Sequence, residues 1–365
     1  MKKKVIYIKK LNKRKITRSI FGLITIPSSL IIIIDILNIK ELIDDRLIHI
    51  FGIDKGNGLY YLINNCIDLG KYKDVFLNTL LALCVIVIIV QIILFLLENR
   101  QEALLIVEHN SLNQMQYRYD EEVENDYNIK KLKFNQYKTF NSNMAVEAMI
   151  NLSITEIDMK ANIIRSYITK GYLIGYAGIA NIPTTFLLGF ELGDENSKKY
   201  FHKYHGKKTN SELKDDKFHL LKKKTVRSSF KLDILQESVD LKQDGNIVII
   251  ISLTQPIGEA DFSSIISDND YIYKYTCSDE IDYDVIDSES QIEQYTDKIL
   301  SDIAVIQKKP NIKQIRICVA APGAFVFGLG TKFSKTQNKE IIIYHFEKDQ
   351  YPWGINVTKK VSVIN

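Results

Sequence analysis

Cysteine, proline and tryptophan are scarce in this chain, and the shortages exclude several classes of protein. Its 365 residues include 4 Cys, 6 Pro and 1 Trp. The cysteines, at positions 66, 84, 277 and 318, have no paired spacing, which argues against a disulfide framework and a cysteine-ligated metal site. The sequence also has no G-x-S-x-G elbow, no phosphate-binding lysine loop and no His and acid cluster with metal spacing. The common hydrolase and metalloenzyme signatures are therefore missing.

Acidic residues are absent from the first eighteen positions, which carry nine lysines and arginines. The whole chain has a net charge of +4, so the part after Arg18 has a net charge of −5. A slightly acidic body is a poor candidate for general nucleic-acid binding. We predict that residues 1–18 form a basic tail and that the protein has no long nucleic acid as a partner.

Two apolar runs follow the tail, at residues 19–37 and 75–97. The second run has no charged residue, and a helix of its length covers the roughly 30 Å hydrocarbon core of a bilayer. Pro27 and Asp35 interrupt the first run, but Asp35 lies near its end, where a carboxylate can reach the interface. A signal peptide is disfavoured because no small-residue cleavage pattern follows, whereas a buried hairpin of a soluble protein remains the alternative. We predict two transmembrane helices within 19–97, joined by a short extracytoplasmic loop.

The charge pattern also predicts the orientation of these spans. Lysine and arginine beside a span resist translocation, so the basic tail is expected in the cytoplasm. Two spans return the chain to the same side, which predicts that both termini are cytoplasmic.

From Glu98 onward the apolar pattern predicts one β-α-β-α-β unit written twice. The division falls into half one, about 98–240, and half two, about 241–365. Each half has a buried strand, a long amphipathic helix, a second strand, a corner with a short helix, and a closing strand. The strands are expected at 103–112, 172–180 and 198–205 in half one, and at 246–257, 314–320 and 339–346 in half two.

The corners of the two halves are similar in composition. Pro183 and Pro322 are each followed after three residues by phenylalanine and after six by glycine. The closing strands also match, with Tyr204-His205 against Tyr344-His345. Proline is tolerated in the first helical turn because that amide has no partner within the helix, and the free amides of the turn can hold an anion. Close packing alone is the alternative explanation for the small residues at these corners.

Polar and aromatic residues lie at the predicted strand ends. Asn110, Ser111, Thr254 and Gln255 can form hydrogen bonds, and the rings of tyrosine and tryptophan near the closing strands can stack on bases. This set suits a ligand that has both phosphates and nucleobases.

These motifs resemble the SAVED domain of bacterial anti-phage signalling. The resemblance rests on "YAGIANIPTTFLLGFEL" followed by "YFHKYH", and on "ICVAAPGAFVFGLG" followed by "IIIYHF" and "PWGINV". It implies an α/β fold of two fused CARF-like, Rossmann-type halves over residues 98–365. Preceded by a two-helix transmembrane hairpin, the chain resembles the SAVED effectors of CBASS systems that are fused to two transmembrane helices (TM-SAVED).

The resemblance also implies a function. The chain would be a membrane-anchored effector in the bacterial inner membrane that binds a cyclic oligonucleotide, expected to be a trinucleotide, made by a CD-NTase-type nucleotidyltransferase. Binding would cause self-association, and the clustered spans would disrupt the lipid bilayer. The ligand acts as activator, no cofactor or metal is expected, and the protein is not expected to be an enzyme.

The resemblance assigns the ligand-binding residues position by position. For Lys203 a solvated surface charge, and for Trp353 a packing residue, are the alternative interpretations. The expected site comprises Asn110, Ser111, Asn181, Pro183, Thr184, Lys203, Tyr204, His205, Thr254, Gln255, Ala321, Pro322, Gly323, Tyr344, His345 and Trp353.

Other functions remain compatible with the sequence. A membrane-tethered α/β enzyme is one, because fold alone does not choose a chemistry. A scaffold without a nucleotide ligand is another, and slow cleavage of the bound ring by His109, His205 or His345 is a third. A pore, a packing defect and a simple anchor all fit the two spans.

Overall fold

The computed structural model describes Ile86, Ile89, Val90 and residues 101–365 except 113–115, 195, 205–216, 227, 238–243, 278–280 and 310. Residues 101–365 form a structural unit of their own. The predicted tail at 1–18 and the predicted spans at 19–37 and 75–97 lie outside the described residues, apart from the three isolated positions. Among the helices that are described, none has both the length and the apolar character needed to cross a bilayer.

The first half contains one long helix and three shorter helices between its strands. In chain order its elements are β1 (Glu102–Asn110), β2 (Arg118–Tyr119), α1 (Glu121–Asp126), β3 (Tyr127–Asn135), α2 (Tyr137–Phe140), α3 (Val146–Ile168), β4 (Leu173–Ile179), α4 (Ile182–Leu192), β5 (Lys198–His202) and β6 (Lys217–Leu220).

The second half repeats this order and ends in a hairpin extension. Its elements are β7 (Phe230–Gln236), β8 (Gly245–Ser252), α5 (Glu259–Phe262) with a 3-10 turn at Ser263–Ile265, β9 (Tyr271–Cys277), α6 (Glu289–Ile306), β10 (Ile312–Ala320), α7 (Gly323–Lys332), β11 (Glu340–Glu347), β12 (Gln350–Asn356) and β13 (Val361–Ile364).

The described strands form two mixed sheets, in the orders β2-β6-β5-β4-β1-β3 and β13-β12-β11-β10-β8-β9-β7. Within each sheet four strands are parallel, β5-β4-β1-β3 in the first and β11-β10-β8-β9 in the second. The β-α-β-α-β repeat is therefore present, with one further parallel strand in each half. Strand β7 pairs with β9 in the second sheet, so the second half begins before Phe230 and not near residue 241.

The additional strands β3 and β9 were not predicted, and β3 in particular is only weakly apolar. Strand β3 reads "YNIKKLKFN" and is exposed at most of its positions. It is the edge strand of its sheet, and lysines are common on edges because they oppose pairing with another chain. Its register is parallel to β1, from Glu102 with Tyr127 to Asn110 with Asn135. This pairing is set by the tertiary structure and not by the local sequence.

Strands β1 and β8 are buried on both faces. Leu105 and Val107 of β1 lie in the largest core cluster, and Leu104 and Ile106 lie in a smaller cluster on the opposite face of the sheet. Continuous apolar runs of this kind are typical of parallel strands covered on both sides. The largest cluster joins one face of each sheet through the corner helices α4 and α7, which also pack against each other.

Two glycines allow α4 and α7 to cross closely. A Cβ at Gly189 would lie 2.3 Å from the carbonyl oxygen of Phe327, and a Cβ at Gly330 would lie 2.2 Å from that of Phe186. These reciprocal contacts show that Phe186 corresponds to Phe327 and Gly189 to Gly330. The match predicted from sequence, Phe186 with Phe325 and Gly189 with Gly328, was therefore wrong by two residues.

The corrected match follows from how each helix begins. Asn181 is the N-cap of α4 and Pro183 lies inside its first turn, whereas Pro322 is itself the N-cap of α7. A proline fits both positions because neither requires an amide donor within the helix. Aligning the two prolines therefore displaced the alignment of the helices.

Candidate ligand-binding site

The two corners meet at one cavity of about 340 Å³, which is partly open to solvent. Its volume is within the range of small-molecule sites. Residues of both halves line it: Leu112, Gly178, Ile179, Ala180, Asn181, Ile182, Phe201, His202, Lys203, Phe218, Thr254, Tyr283, Ala321, Pro322, Gly323, Ala324, His345 and Phe346. We call this space the corner cavity.

The amino-terminal ends of α4 and α7 both contribute to the corner cavity. Asn181 and Ile182 line it from the start of α4, and Pro322, Gly323 and Ala324 from the start of α7. Neither N-cap side chain bonds to its own helix. The first amides of a helix lack intrahelical acceptors and lie at its positive end, so both corners can stabilise negative charge.

The end of β4 and the start of α7 approach each other closely. A Cβ at Gly323 would lie 2.9 Å from the carbonyl oxygen of Gly178. A Cβ at Gly178 would in turn lie 2.2 Å from the hydroxyl oxygen of Tyr176. A side chain at Gly323 would push the two halves apart at the cavity wall, and a side chain at Gly178 would displace the ring of Tyr176.

The closing strands β5 and β11 place two histidines at equivalent positions. Tyr176 of β4 pairs with Tyr200, and the equivalent residue of β10, Ile317, pairs with Ile343. Two residues further along lie His202 in β5 and His345 in β11, and both line the corner cavity. The structural partner of His345 is thus His202, and the predicted pairing with His205 was wrong.

His202 is held by a carboxylate behind the cavity. Its Nε2 lies 3.2 Å from Oδ1 of Asp284, and both side chains are buried. The ring of Tyr204 approaches it edge-on, with centroids 4.9 Å apart. These contacts orient the imidazole and link the closing strand of the first half to the segment before α6 in the second.

His345 has a different environment, with an aromatic neighbour and no carboxylate contact at its buried nitrogen. Its ring lies 4.5 Å from the indole of Trp353. Its Nδ1 is buried without a hydrogen-bond partner among the described residues. Burial lowers the pKa of His345 to about 4, so the ring is neutral at neutral pH and suits a hydrogen bond with a ligand.

Tyr176 lies directly beneath Gly178 and joins the two halves. Its ring stacks on Phe327 of α7, with centroids 4.3 Å apart and planes 5° apart. Its hydroxyl lies 3.1 Å from Oγ1 of Thr185 in α4 and 3.2 Å from Nδ1 of His109. One side chain therefore contacts both corner helices and the core of the first sheet.

His109 belongs to this buried network and not to the corner cavity. Its Nε2 lies 2.9 Å from Oε1 of Gln136, whose Nε2 donates to Glu156 at 2.9 Å. The ring is stacked on Phe134 with centroids 4.4 Å apart. Burial lowers the pKa of His109 to about 4. These contacts give it a structural role, and it does not reach a ligand in the cavity.

The structure brings together seven of the sixteen predicted site residues in the wall of the corner cavity. Apart from the histidines, Lys203 is the only residue with a charged side chain in the described lining of the cavity. The seven are Asn181, Lys203, Thr254, Ala321, Pro322, Gly323 and His345.

Four predicted residues support the first corner from inside. Oγ of Ser111 accepts a hydrogen bond from the amide of Asn181 at 2.7 Å. Oγ1 of Thr184 donates to the carbonyl oxygen of Asn181 at 2.9 Å. Asn110 and Pro183 are buried beside them. All four hold the corner in shape, but none lines the cavity.

The remaining predicted residues lie elsewhere. Tyr344 is buried in the core cluster on the other face of the second sheet, and Trp353 is buried between Phe140 and His345. Tyr344 points away from the cavity because alternate residues of a strand point to opposite faces. Trp353 is on the same face as its register partner His345, but it packs against that ring and Phe140 and does not line the cavity. Gln255 is exposed and donates to the hydroxyl of Tyr283, which does line the cavity.

Tyr204 and His205 complete the set. Tyr204 is half-buried after the end of β5, and burial raises its pKa to about 12, so its hydroxyl stays protonated at neutral pH. His205 lies outside the described residues.

Sequence reasoning missed several residues of the cavity wall, above all His202, Tyr283 and Phe346. His202 could have been found by matching "YFH" with "IYH", since an apolar pair precedes a histidine in both closing strands. Tyr283 comes from a segment without a periodic pattern, and no local signal indicates its position.

The family model for the SMODS-associated and fused to various effectors sensor domain (SAVED) matches residues 157–357, which is more than half of the chain. The chain belongs to the SAVED family. The SAVED match includes both corners, α4 and α7, and both closing strands. Among curated proteins none matches this sequence.

Several solved structures match this chain at low sequence identity. The Acinetobacter baumannii Cap4 SAVED/CARF-domain containing receptor with the cyclic trinucleotide 2'3'3'-cAAA matches with a TM-score of 0.45 and 14% identity, covering 70% of this chain and 52% of that one. The same receptor with 3'3'3'-cAAA matches at 0.44 and 14%, covering 67% and 50%. The Moraxella osloensis Cap4 receptor matches at 0.38 and 14%, covering 69% and 48%. This chain spans about half the length of these relatives.

Proposed function

We propose that this protein is a membrane-attached SAVED sensor that binds a cyclic oligonucleotide in the corner cavity. The observation that carries the proposal is the convergence of two equivalent corners and two equivalent histidines, His202 and His345, on one space. A ring with repeated phosphates and bases presents similar groups to both halves. The halves differ in sequence, which suits a ligand that contacts each of them differently.

The chemistry of the wall supports a ligand with both phosphates and bases. The positive ends of α4 and α7 and the ammonium of Lys203 supply favourable positions for phosphate oxygens. His345 is neutral, and with Phe201, Tyr283 and Phe346 it supplies rings and a polar edge for a base. We expect the ring to be a cyclic trinucleotide made by a CD-NTase-type nucleotidyltransferase of a CBASS system.

Membrane action is the second part of the proposal. The apolar runs at 19–37 and 75–97 would hold the chain in the bacterial inner membrane with both termini cytoplasmic. Two nonidentical halves in one chain favour head-to-tail association after ligand binding, which can extend if it does not close. Clustered spans with polar residues such as Asn78 and Gln91 would then disrupt the bilayer.

We propose that binding, and not turnover, is the activity. His202 is oriented by Asp284 and His345 is neutral, so an acid and a base for phosphodiester cleavage are both conceivable in this wall. Product analysis of each binding sample by chromatography tests the proposal directly. Conversion of the ring to linear oligonucleotide, lost in His202→Ala, would show an enzyme instead.

The decisive experiment is calorimetric titration of the full chain in detergent micelles with a panel of cyclic di-, tri- and tetranucleotides. Sedimentation of each mixture reports assembly. We expect one ring to bind and to shift the protein to larger assemblies, with affinity reduced about tenfold or more by Lys203→Gln, since a charge-assisted hydrogen bond contributes roughly 1.5–3 kcal/mol. Lys231→Gln, on exposed β7 and outside the wall, is the matched control.

Two results would contradict the assignment of the corner cavity as the ligand site. If no ring bound to folded full-length protein, or if the cavity variant and the control bound equally, the corner cavity would not be the sensor site. The corner glycines and prolines would then serve packing alone.

A further inference from the structure

A second surface of residues 101–365 combines unpaired cations with exposed apolar side chains. It consists of the edge strand β3 and the outer face of α3. Its members are Lys130, Lys160 and Lys170 with Leu152, Met159 and Ile163. Lys131 and Lys133 of β3 alternate with Lys130 and point to the other face of the sheet, where Lys131 lies over the ring of Tyr119. We call it the β3–α3 face.

The lysines of the β3–α3 face lack carboxylate partners. No ion pair is formed by any of the three within the described residues, although Lys199, Lys222 and Lys298 elsewhere each contact an acid. The nearby acids of α3 are engaged otherwise: Glu156 accepts from Gln136 and Thr139, and Asp158 pairs with Lys360. Neither of these two carboxylates therefore pairs with a lysine of the face.

The lysines lie against aromatic rings and backbone instead. Nζ of Lys130 is 5.5 Å from the ring centroids of both Tyr167 and Tyr172. Nζ of Lys160 donates to the carbonyl oxygen of Lys133 at 3.0 Å, which joins α3 to the edge strand. Tyrosine is enriched at the membrane–water interface, and lysine can bury its apolar stem there while its ammonium stays in water.

An apolar stripe runs beside these cations. Leu152, Met159 and Ile163 are spaced by seven and four residues, so they share one face of α3. All three are exposed, and Met159 is 63% exposed. Protection of an edge strand explains lysines on β3, but it does not explain exposed apolar side chains along the neighbouring helix.

The β3–α3 face lies close to the start of the folded unit. Glu102, the first residue of β1, pairs with Tyr127, the first residue of β3, and Lys130 pairs with Leu105. Lys130 is therefore about 10 Å from the end of the strand pair. If a span ends at Leu97, the five residues to Glu102 cover at most about 17 Å. This reach allows the face to touch the bilayer that holds the span.

We propose that the β3–α3 face binds the surface of an anionic bilayer, with the lysines on lipid headgroups and Leu152, Met159 and Ile163 in the interfacial layer. The inference deepens the proposed membrane attachment and rests on it. A lysine near an anionic surface contributes roughly tenfold or less to binding, and several together with a short apolar stripe give reversible contact. Such contact orients the sensor beside the membrane.

The test uses tryptophan fluorescence, because the chain has a single tryptophan, the buried Trp353. Met159→Trp full-length protein is reconstituted in phosphatidylcholine vesicles with and without phosphatidylglycerol, and brominated lipid serves as quencher. We expect added quenching, relative to the wild type, that is several-fold stronger with phosphatidylglycerol and decreases with salt. Val305→Trp is the matched control, because Val305 is 67% exposed on α6, the equivalent helix of the second half.

A charge variant completes the test. In the Met159→Trp background, Lys130→Gln, Lys160→Gln and Lys170→Gln together should abolish the phosphatidylglycerol effect. The combination Lys231→Gln, Lys308→Gln and Lys339→Gln removes three exposed lysines elsewhere and should preserve it. Equal quenching of Met159→Trp and Val305→Trp, or no effect of the first lysine set, would overturn the inference and direct attention to a protein or nucleic-acid partner.

The proposed function is tested by measurements that are separate from the quenching experiment. Flotation of the full chain with vesicles in high salt reports the spans, and ring titration reports the sensor. A chain that floats and binds a ring but shows no quenching at Met159→Trp would contradict only the β3–α3 inference. A chain that does not float in high salt, but is quenched in low salt, would support this face and contradict the spans.

Discussion

His202 and His345 occupy equivalent register positions in β5 and β11, and both imidazoles line the corner cavity. Their environments differ, since His202 contacts Asp284 and His345 contacts Trp353. A carboxylate stabilises a cationic imidazole, and an aromatic shell stabilises a neutral one. The two halves therefore present similar geometry but different electrostatics to whatever lies between them.

Replacing His345 tests its role toward a ligand. His345→Phe retains a ring but removes Nδ1, the buried nitrogen without a partner among the described residues. If this nitrogen bonds the cyclic ring, we expect binding weaker by about 5- to 100-fold, corresponding to roughly 1–3 kcal/mol for a lost buried hydrogen bond. Calorimetry measures the change, and His219→Gln, at a histidine outside the cavity wall, is the control. Unchanged affinity would place His345 outside the ligand contacts.

The buried histidines predict a dependence of stability on pH. Burial lowers the pKa of His109 and His345 from 6.5 to about 4. Between these pH values the unfolded chain binds more protons, so stability is retained above pH 6.5 and falls as the pH decreases toward 4. The loss reaches roughly 3 kcal/mol per histidine at the acid limit.

His345→Phe should remove about half of this acid sensitivity. Denaturant unfolding of the full chain in micelles between pH 7 and pH 4.5 measures it. Lys231→Gln, which alters only a surface charge, should have the wild-type profile. A profile unchanged by His345→Phe would contradict the assignment.

The crossing of α4 and α7 predicts a steric effect of one methyl group. Gly330→Ala places a Cβ only 2.2 Å from the carbonyl oxygen of Phe186, so the helices must separate. We expect destabilisation of roughly 1–3 kcal/mol or more, as for other overpacked cores. Gly258→Ala is the control, because its nearest atom would be 3.7 Å away. Equal stability of the two variants in thermal unfolding would show that the helices do not cross here.

The hydroxyl of Tyr176 predicts a further contrast. Tyr176→Phe retains the stack on Phe327 but loses the hydrogen bonds to His109 and Thr185. We expect a loss of about 1–3 kcal/mol, because buried polar partners are left unsatisfied. Tyr351→Phe is the matched control.

The control works because the hydroxyl of Tyr351 is buried with no hydrogen-bond partner among the described residues beyond a weak contact to the Cys318 thiol. Its removal should be neutral or slightly stabilising. Denaturant unfolding compares the two variants. A smaller effect for Tyr176→Phe than for Tyr351→Phe would contradict the network.

Much of the architecture could be predicted from local pattern. Buried strands such as β1 and β8 are continuous apolar runs, and α3 and α6 have a helical period, so the order of elements was recognisable. The family was recognisable as well, from the small residues and prolines of the corners together with the motifs of the closing strands. Strand β3 was missed since its lysines mask the pattern, and β7 was assigned to the wrong half because strand pairing is not local.

By itself, the sequence determined the repeated α/β unit, the SAVED membership and the two corners, because these depend on apolar period and on residue types within a few positions of one another. Only the tertiary structure decided the register between the halves. His202 and not His205 matches His345, Gly189 faces Phe327, and Tyr344 points into the core, because strand pairing and helix crossing bring together residues more than a hundred positions apart. A slip of two or three residues is invisible in composition, yet it decides which side chains reach the cavity.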